Sequence, residues 1–556
     1  MTARGRVVLI GPAVLALGAL LVAPLGIMAF VSTLQRGEYG GVLWAKHTAE
    51  AYVQFIYERD LFDRLVVNPD YIRIFLRSVG FAAATAACTL ILALPTALWM
   101  AFQPPRRRLL LLLIVTVPLW TNLLVRNYAW MLLLGDGGLI DRLLLALGLT
   151  RAPMEILYTP AATLIGLVYS FLPYMLLPIY VSMEKIDRRL IEGAYDLGAS
   201  RARAIRRIVL PLSLPGIAGG MILVFVPCLG AFISPELLGG GKSMMIGSLI
   251  QQQFGQARNW PFGAALAFTL LALILLARCG RTACGFAAAR RQRGDGRGAA
   301  VPVSAGAGGG LAVIGFLYGP ILVLIALSFN AGDSALGAWS GFSLRWYRAV
   351  AGDHDMLHAT GISLAVACIA TLAGTGIALL AALGTAGARF RRQGAFEALI
   401  GLPLIAPDIV AEIAMLLLFV AVGLPLGIMT LILAHLVFAI PVGYLPIRAR
   451  LQGMDASLAE AAADLGAPPV TCFRRILLPL LWPGIVSGAM LAFVGSLGDV
   501  VVSYFVSGPG ATTLPVYVFS MVRMGVTPAV NAISSLLVML SAVLLGSAYM
   551  FARRLR

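Results

Sequence analysis

The sequence predicts an all-α polytopic membrane protein, with about twelve transmembrane helices arranged as two parallel six-helix repeats. Three observations carry that prediction: an apolar composition with little charge, a series of long charge-free windows, and a gap-free internal repeat. Of the 556 residues, 60% are apolar and only 12% charged, whereas a soluble domain carries about 25% charged residues. Lipid therefore solvates most of this chain.

The windows supply the spans. Residues 7–34, 160–183, 208–235, 259–277, 309–332, 476–498, 500–522 and 524–552 contain no Lys, Arg, Asp or Glu. Residues 72–102, 109–134, 358–386, 396–422 and 426–447 are less clean. About 20 apolar residues at about 1.5 Å rise cross a hydrocarbon core of about 30 Å. Such stretches are read as helices because lipid offers the backbone no hydrogen-bond partner.

The net charge of +17 raises nucleic-acid binding, and its distribution argues against it. The basic residues cluster at Arg4 and Arg6, Arg106–Arg108, 184–207, 278–297, Arg389–Arg392, 448–475 and Arg553–Arg556, which hold 28 of the 42 Lys and Arg residues. The intervening loops are mixed or acidic; residues 36–70 carry four basic and six acidic residues. Positive charge on alternate loops places both termini in the cytoplasm. The six cysteines (88, 228, 279, 284, 368, 472) and four histidines have neither disulfide nor metal spacing. The first apolar run is too long for a signal-peptide core and is expected to stay as an uncleaved anchor.

Residues 192–220 read EGAYDLGASRARAIRRIVLPLSLPGIAGG, and residues 460–488 read EAAADLGAPPVTCFRRILLPLLWPGIVSG. A constant offset of 268 pairs Glu192 with Glu460, Asp196 with Asp464, Gly198 with Gly466, Arg206–Arg207 with Arg474–Arg475 and Gly216 with Gly484. The same offset pairs Pro173 with Pro441 upstream and Phe225 with Phe493 downstream. With six spans per copy the repeats are parallel, which puts a pathway between them near midplane. The expected division is a first half at 1–279, a Gly/Ala-rich cytoplasmic linker at 280–308, and a second half at 309–556.

The repeated loop has the grammar of two short helices. Asp187 suits the N-cap of the first, Gly198 the left-handed turn that ends it, and Ser200 or Pro468–Pro469 the start of the next. Pro211 and Pro215 are expected to break the chain before the following span. Small residues at Gly193–Ala194 and Ala461–Ala463 leave room for another surface.

The pattern Glu460-Ala461-Ala462 to Gly466, with Glu192-Gly193-Ala194 to Gly198 in the first copy, resembles the EAA loop of ABC-importer permeases. The stretches 118–134, 237–254 and 259–265 are similar to one spermidine/putrescine-type permease subunit. The stretches 327–332, 341–350, 406–410 and 498–532 are similar to its partner subunit. This resemblance implies that Glu192, Ala194, Asp196, Gly198, Glu460, Ala462, Asp464 and Gly466 couple the chain to ATPase subunits. It further implies two copies of a cytoplasmic ATPase carrying the ATP and Mg2+, an external solute-binding protein, and a fused pair of permease halves. No cofactor is expected on this chain itself, nor any catalytic residue. Where the family often has two adjacent acids, this sequence has Gly498-Asp499.

Gly241-Lys242-Ser243 ends like a phosphate-binding loop, but Glu236 stands where the pattern needs glycine. The energy source is therefore expected on a separate subunit. Ionisable groups within or near spans are Arg126, Glu236, Asp408, Glu412 and Asp499; such groups are costly in lipid and mark candidate pathways. Four of the five are acids, suited to a cationic solute, and Tyr128 and Trp130 add cation–π surfaces. Simpler roles stand beside that reading: helix capping for Asp408, snorkelling for Arg126, an interfacial belt for the aromatics. The outer segment 35–70 has two readings, contact with a binding protein or a surface helix lying on the membrane. Iron(III), thiamine and organophosphonates are the alternative solutes, and an ion-coupled secondary carrier or a scaffold the alternative classes.

Overall fold

The computed structural model describes residues 3–59, 62, 64–283, 307–335, 339–386, 390–455, 457–525 and 527–554; most of the expected linker, 284–306, lies outside them. The first span consists of α1 (Ala3–Leu17), a π turn (Gly18–Val22) and α2 (Ala23–Val31). Segment 34–67 then forms two antiparallel ribbons, β1 (Leu34–Arg36) with β2 (Val42–His47), and β3 (Tyr57–Arg59) with β4 (Leu65–Val67). Among the described residues only α3 (Glu50–Val53) interrupts them. The surface-helix reading of 35–70 is thus corrected. Gly40 and Gly41, both at positive φ, turn the first ribbon where a helix would need right-handed residues.

α4 (Asp70–Ala101) is a single span. α5 (Pro105–Thr116), a 3-10 turn (Val117–Trp120), α6 (Leu123–Leu134) and α7 (Leu139–Ala146) make a broken one, bent by 90°. Its break is fixed by Pro118 and by Asn122, whose side chain accepts the Leu124 N–H at 2.7 Å and so caps α6. α8 (Pro160–Glu184) leads into the repeated loop, α9 (Arg188–Asp196) and α10 (Arg201–Ala204). A π turn (Ile205–Val209) follows, then α11 (Leu210–Leu229). Short helices α12 (Ile233–Gly239) and α13 (Ile246–Phe254) precede α14 (Trp260–Ala283).

The second repeat runs through α15 (Ala307–Ser328), α16 (Arg345–Ala351) and α17 (His354–Gly384). Its broken span is α18 (Gln393–Gly401) and α19 (Asp408–Ala421), bent by 98° where Pro403 and Pro407 remove donors. Then come α20 (Ile428–Gln452), α21 (Ser457–Asp464), α22 (Pro469–Cys472), a π turn (Phe473–Leu477) and α23 (Leu478–Leu497). The chain ends in α24 (Val501–Val506), α25 (Leu514–Met524) and α26 (Pro528–Arg554). Among the described residues, eight helices, or ten with the two bent pairs, are long and apolar enough to cross a membrane. α14 and α26, of 24 and 27 residues with apolar stretches at 260–276 and 528–544, bring the candidates to twelve. The window 500–522 is not one of them. Gly508-Pro509-Gly510 breaks it into α24 and α25, with Gly508 lying against the Leu426 carbonyl so closely that a side chain would not fit.

The 268-residue offset extends to the backbone: α8 and α20, α10 and α22, the two π turns, and α11 and α23 all share it at both ends. Prolines 211 and 215, and 479 and 483, do not break the chain as expected. Arg201–Leu229 and Val470–Leu497 each continue as one span. The π turn widens the helix just before Pro211 and Pro479, where the ring would otherwise meet the carbonyl four residues earlier. Close packing repeats as well. A methyl group on Gly216 would stand 2.5 Å from the Pro178 carbonyl oxygen, and one on Gly488 would stand 2.8 Å from that of Gly443. These glycines let α11 lie on α8, and α23 on α20, at backbone contact, as in other membrane helix pairs.

Two compact units result. One comprises Met1–Phe30, Leu344–Gly525 and Ala532–Arg556; the other comprises Val31–Ser343 and Val526–Asn531. They differ from the sequence halves 1–279 and 309–556 by an exchange of first spans. α1 packs on α17, α18 and α20 of the second repeat, while α15 packs on α4, α5 and α6 of the first.

Candidate functional site

The two repeated loops are built alike. Asp187 Oδ1 accepts the Arg189 N–H at 3.0 Å, and Asp455 Oδ1 accepts the Ser457 N–H at 3.0 Å. The Ser457 backbone and hydroxyl hold the Asp455 carboxyl below its ordinary range. Each first helix ends on a left-handed glycine, Gly198 at φ +78° and Gly466 at φ +75°. The Ala199 N–H then bonds the Ala194 carbonyl at 2.9 Å and the Ala467 N–H that of Ala462 at 3.0 Å, which satisfies the free carbonyls of the last turn. This geometry holds Leu197 and Leu465 out into solvent, 90% and 87% exposed. Asp196 and Asp464 are exposed beside them. Glu460 is exposed too, whereas Glu192 is half-buried, its Oε1 without a hydrogen-bond partner. Ala462 is buried and Ala194 partly so.

The membrane candidates divide between the units. Arg126, Tyr128 and Trp130 share α6. Arg126 is buried, with Nη1 3.5 Å from the Ser170 carbonyl and Nε without a partner. The Tyr128 hydroxyl donates to Asn531 Oδ1 at 2.7 Å. Trp130 meets Tyr169 edge-on, at 5.7 Å between ring centroids, and leans on Phe316. Arg126 is therefore buried in protein rather than turned out to the surface, and among the described residues no ion pair joins it to the sequence-predicted acids.

Asp408, Glu412 and Asp499 lie together in the other unit, where α19 packs on α24, close enough for their charges to interact. Asp408 opens α19 directly after the break, with its side chain exposed. Glu412, one turn on, is buried with Oε2 unpartnered. Asp499 follows the end of α23 and accepts the N–H groups of Val501 and Val502 at 2.9 and 3.1 Å, so it also caps α24. The offset places Ala231 at the position of Asp499. Counting from the breaks, Leu123 and Asn127 stand for Asp408 and Glu412, so the acids belong to one repeat alone. Among the described residues, no group of three or more His, Cys, Asp or Glu side chains is placed to hold a metal ion.

Sequence reasoning passed over His435. It is buried in α20, with Nδ1 2.8 Å from Ser496 Oγ and Nε2 3.2 Å from Ser503 Oγ, tying α23 to α24 on either side of Asp499. An ionisable side chain inside the apolar window 426–447 was the available signal. Tyr169 and Phe316 carried no such signal, since aromatic residues are frequent throughout the spans.

The family described as "Binding-protein-dependent transport system inner membrane component" matches residues 64–283 and again 374–556. The spermidine/putrescine transport system permease protein PotB of Escherichia coli K12 is 43% identical over 221 residues, covering 40% of this chain and 80% of that protein. The putrescine transport system permease protein PotI of the same organism is 44% identical over 229 residues, covering 40% of this chain and 81% of its own. A crystal structure of a bacterial ABC transporter that imports the acidic polysaccharide alginate aligns with 49% of this chain and 92% of that one, at a TM-score of 0.38 and 16% identity. Matched twice along its length, the chain belongs to the family of binding-protein-dependent transport system inner membrane components and is a multi-pass inner-membrane transport subunit.

Proposed function

We propose that this chain is a two-half permease of an ATP-driven importer and that it carries a polyamine, spermidine or putrescine, into the cytoplasm. The observation that carries the reading is the duplicated loop, with identical caps and an exposed leucine in both copies. Two such tips suit two copies of a cytoplasmic ATPase, which would bind the ATP and Mg2+. Glu192, Ala194, Asp196 and Gly198, with Glu460, Ala462, Asp464 and Gly466, form the docking surfaces. On this reading the loops and both termini face the cytoplasm, and the ribbons of 34–67 face the external binding protein.

ATP binding draws the ATPase pair together and with it the two loops; the membrane helices respond by opening toward the loaded binding protein. Preferential binding of ATP to the closed state supplies the bias, and hydrolysis reverses it. The solute assignment rests on the relatives and on the chemistry of Asp408, Glu412 and Asp499. Three carboxylates that no basic side chain among the described residues pairs with match the spaced ammonium groups of a polyamine. Arg126, Tyr128 and Trp130 are assigned to the aromatic wall of the pathway, where ring faces favour cations.

The test is uptake into proteoliposomes that hold this chain with its ATPase and binding protein, using labelled putrescine and spermidine beside thiamine, ferric iron and an organophosphonate. ATP-dependent polyamine uptake supports the proposal. Uptake of another solute keeps the importer and removes the polyamine. Uptake that ignores ATP removes both and favours an ion-coupled carrier.

A further inference from the structure

Each repeat carries one ion pair at the same architectural place. In the first, Arg108 Nη1 on α5 meets Glu184 Oε1 at the end of α8, at 3.3 Å. In the second, Arg448 Nη2 on α20 meets Glu397 Oε1 on α18 at 2.6 Å, and Gln393 Nε2 donates to the same oxygen at 2.8 Å. Both pairs join the first arm of a broken span to the helix that runs into the repeated loop: α9 starts four residues after Glu184, and α21 nine residues after Arg448.

The residues are not copies of one another. The offset puts Tyr180 at the position of Arg448 and Gln452 at that of Glu184; counting from the breaks, Gln393 stands for Arg108 and Glu397 for Leu112. The second pair is therefore shifted by one helical turn along both elements, and its polarity is reversed. Acid and base have changed sides while the bridge has been kept. An isolated, partly exposed ion pair is weak evidence of anything. Two that join equivalent elements through different residues point to the connection itself as the function.

What the connection moves is also visible. Past the 90° break α5 continues into α6 with Arg126, Tyr128 and Trp130; past the 98° break α18 continues into α19 with Asp408 and Glu412. Beside the second pair lies a cleft of about 580 Å³, lined by Thr385, Phe390, Gln393, Glu397, Arg448 and Gln452 among others.

We infer that Arg108–Glu184 and Glu397–Arg448 are paired latches, which tie each broken span to its coupling loop so that loop movement reaches the polar segment of the pathway. They are positioning residues and touch no solute. The inference rests on the importer reading, so its experiment separates the two.

In proteoliposomes with the ATPase and binding protein, uptake per ATP hydrolysed is measured for R448E, E397R and the double swap, and for R108E, E184R and theirs. Each single reversal is expected to lower the ratio about tenfold while hydrolysis continues, and each double swap to restore it to within about twofold. Single reversals at the wild-type ratio, or double swaps that assemble fully yet stay as poor as the singles, overturn the latch. Absence of ATP-dependent uptake by the wild type counts against the importer instead. A second readout needs no solute: spin labels at L109C and R189C report the spacing of α5 and α9. R108E is expected to broaden that distance distribution, and the R108E/E184R swap to narrow it again; a distribution indifferent to R108E overturns the inference.

Discussion

The two loops and the two broken spans diverged in opposite ways. The loops keep the same caps, the same left-handed glycine and the same exposed leucine over the 268-residue offset. Past their bends the broken spans differ: one carries the buried Arg126 with Tyr128 and Trp130, the other Asp408 and Glu412. On the importer reading proposed above, the loops are held alike because each would meet the same partner, while the broken spans, which would meet an asymmetric solute, are free to specialise.

If that contrast is right, the loops must be equally indispensable. L197D and L465D, each placing a charge at an exposed apolar tip, are each expected to cut ATP-dependent uptake by at least about tenfold and to abolish co-purification of the ATPase. A large difference between them would break the comparison. The acids should behave in the opposite, one-sided way. D499N and E412Q are expected to lower polyamine uptake about tenfold, equivalent to about 1.4 kcal/mol, with ATPase co-purification unchanged. A231D, which puts a carboxylate at the corresponding place in the first repeat, is expected not to rescue D499N, by the same uptake assay.

Stability sharpens the picture at smaller scale. G216L and G488L insert bulk where α11 meets α8 and α23 meets α20; each is expected to cost about 1–3 kcal/mol by overpacking, read as a lower midpoint of thermal unfolding in detergent. Smallest is D353N. Asp353 caps α17 by accepting the Met356 N–H at 3.0 Å and takes the Tyr517 hydroxyl at 2.8 Å, and these bonds hold its carboxyl below the ordinary range. A depressed carboxyl stabilises above its unfolded pKa and stops doing so as pH falls through the folded one. D353N is therefore expected to cost about 1 kcal/mol near neutral pH and to be nearly silent in strong acid, by the same melting measurement.

Most of the fold was legible because lipid makes it so: charge-free windows and basic loops follow directly from the cost of burying charge. The loop caps at Asp187, Gly198 and Gly466 were legible because local backbone geometry demands those residue types. Pro211 and Pro215 were misread as chain breaks, since a π turn leaves no residue signature while it makes room for proline. The stretch 500–522 was misread as a span because apolar composition says nothing about the turn at Gly508. Within the candidate site, the acids declared themselves one by one, but their meeting across α19 and α24 depends on tertiary packing. Glu397 sat at the edge of the window 396–422 and Arg448 at the start of the basic loop 448–475, where charge is ordinary, and their pairing had no trace in the sequence.

The exchange of first spans has a consequence for how the protein is made. α1 and α2 are complete by residue 31, yet the helix they pack on, α17, begins at His354. At about 5–20 residues per second, the first span waits in the bilayer for roughly 15 to 65 s before its neighbour exists. The unit that is synthesised first must likewise wait for α15 before it is whole. Neither half can mature as a finished module while the ribosome completes the other, and a chain cut at the junction would yield two fragments that each hold the opening helix of the other.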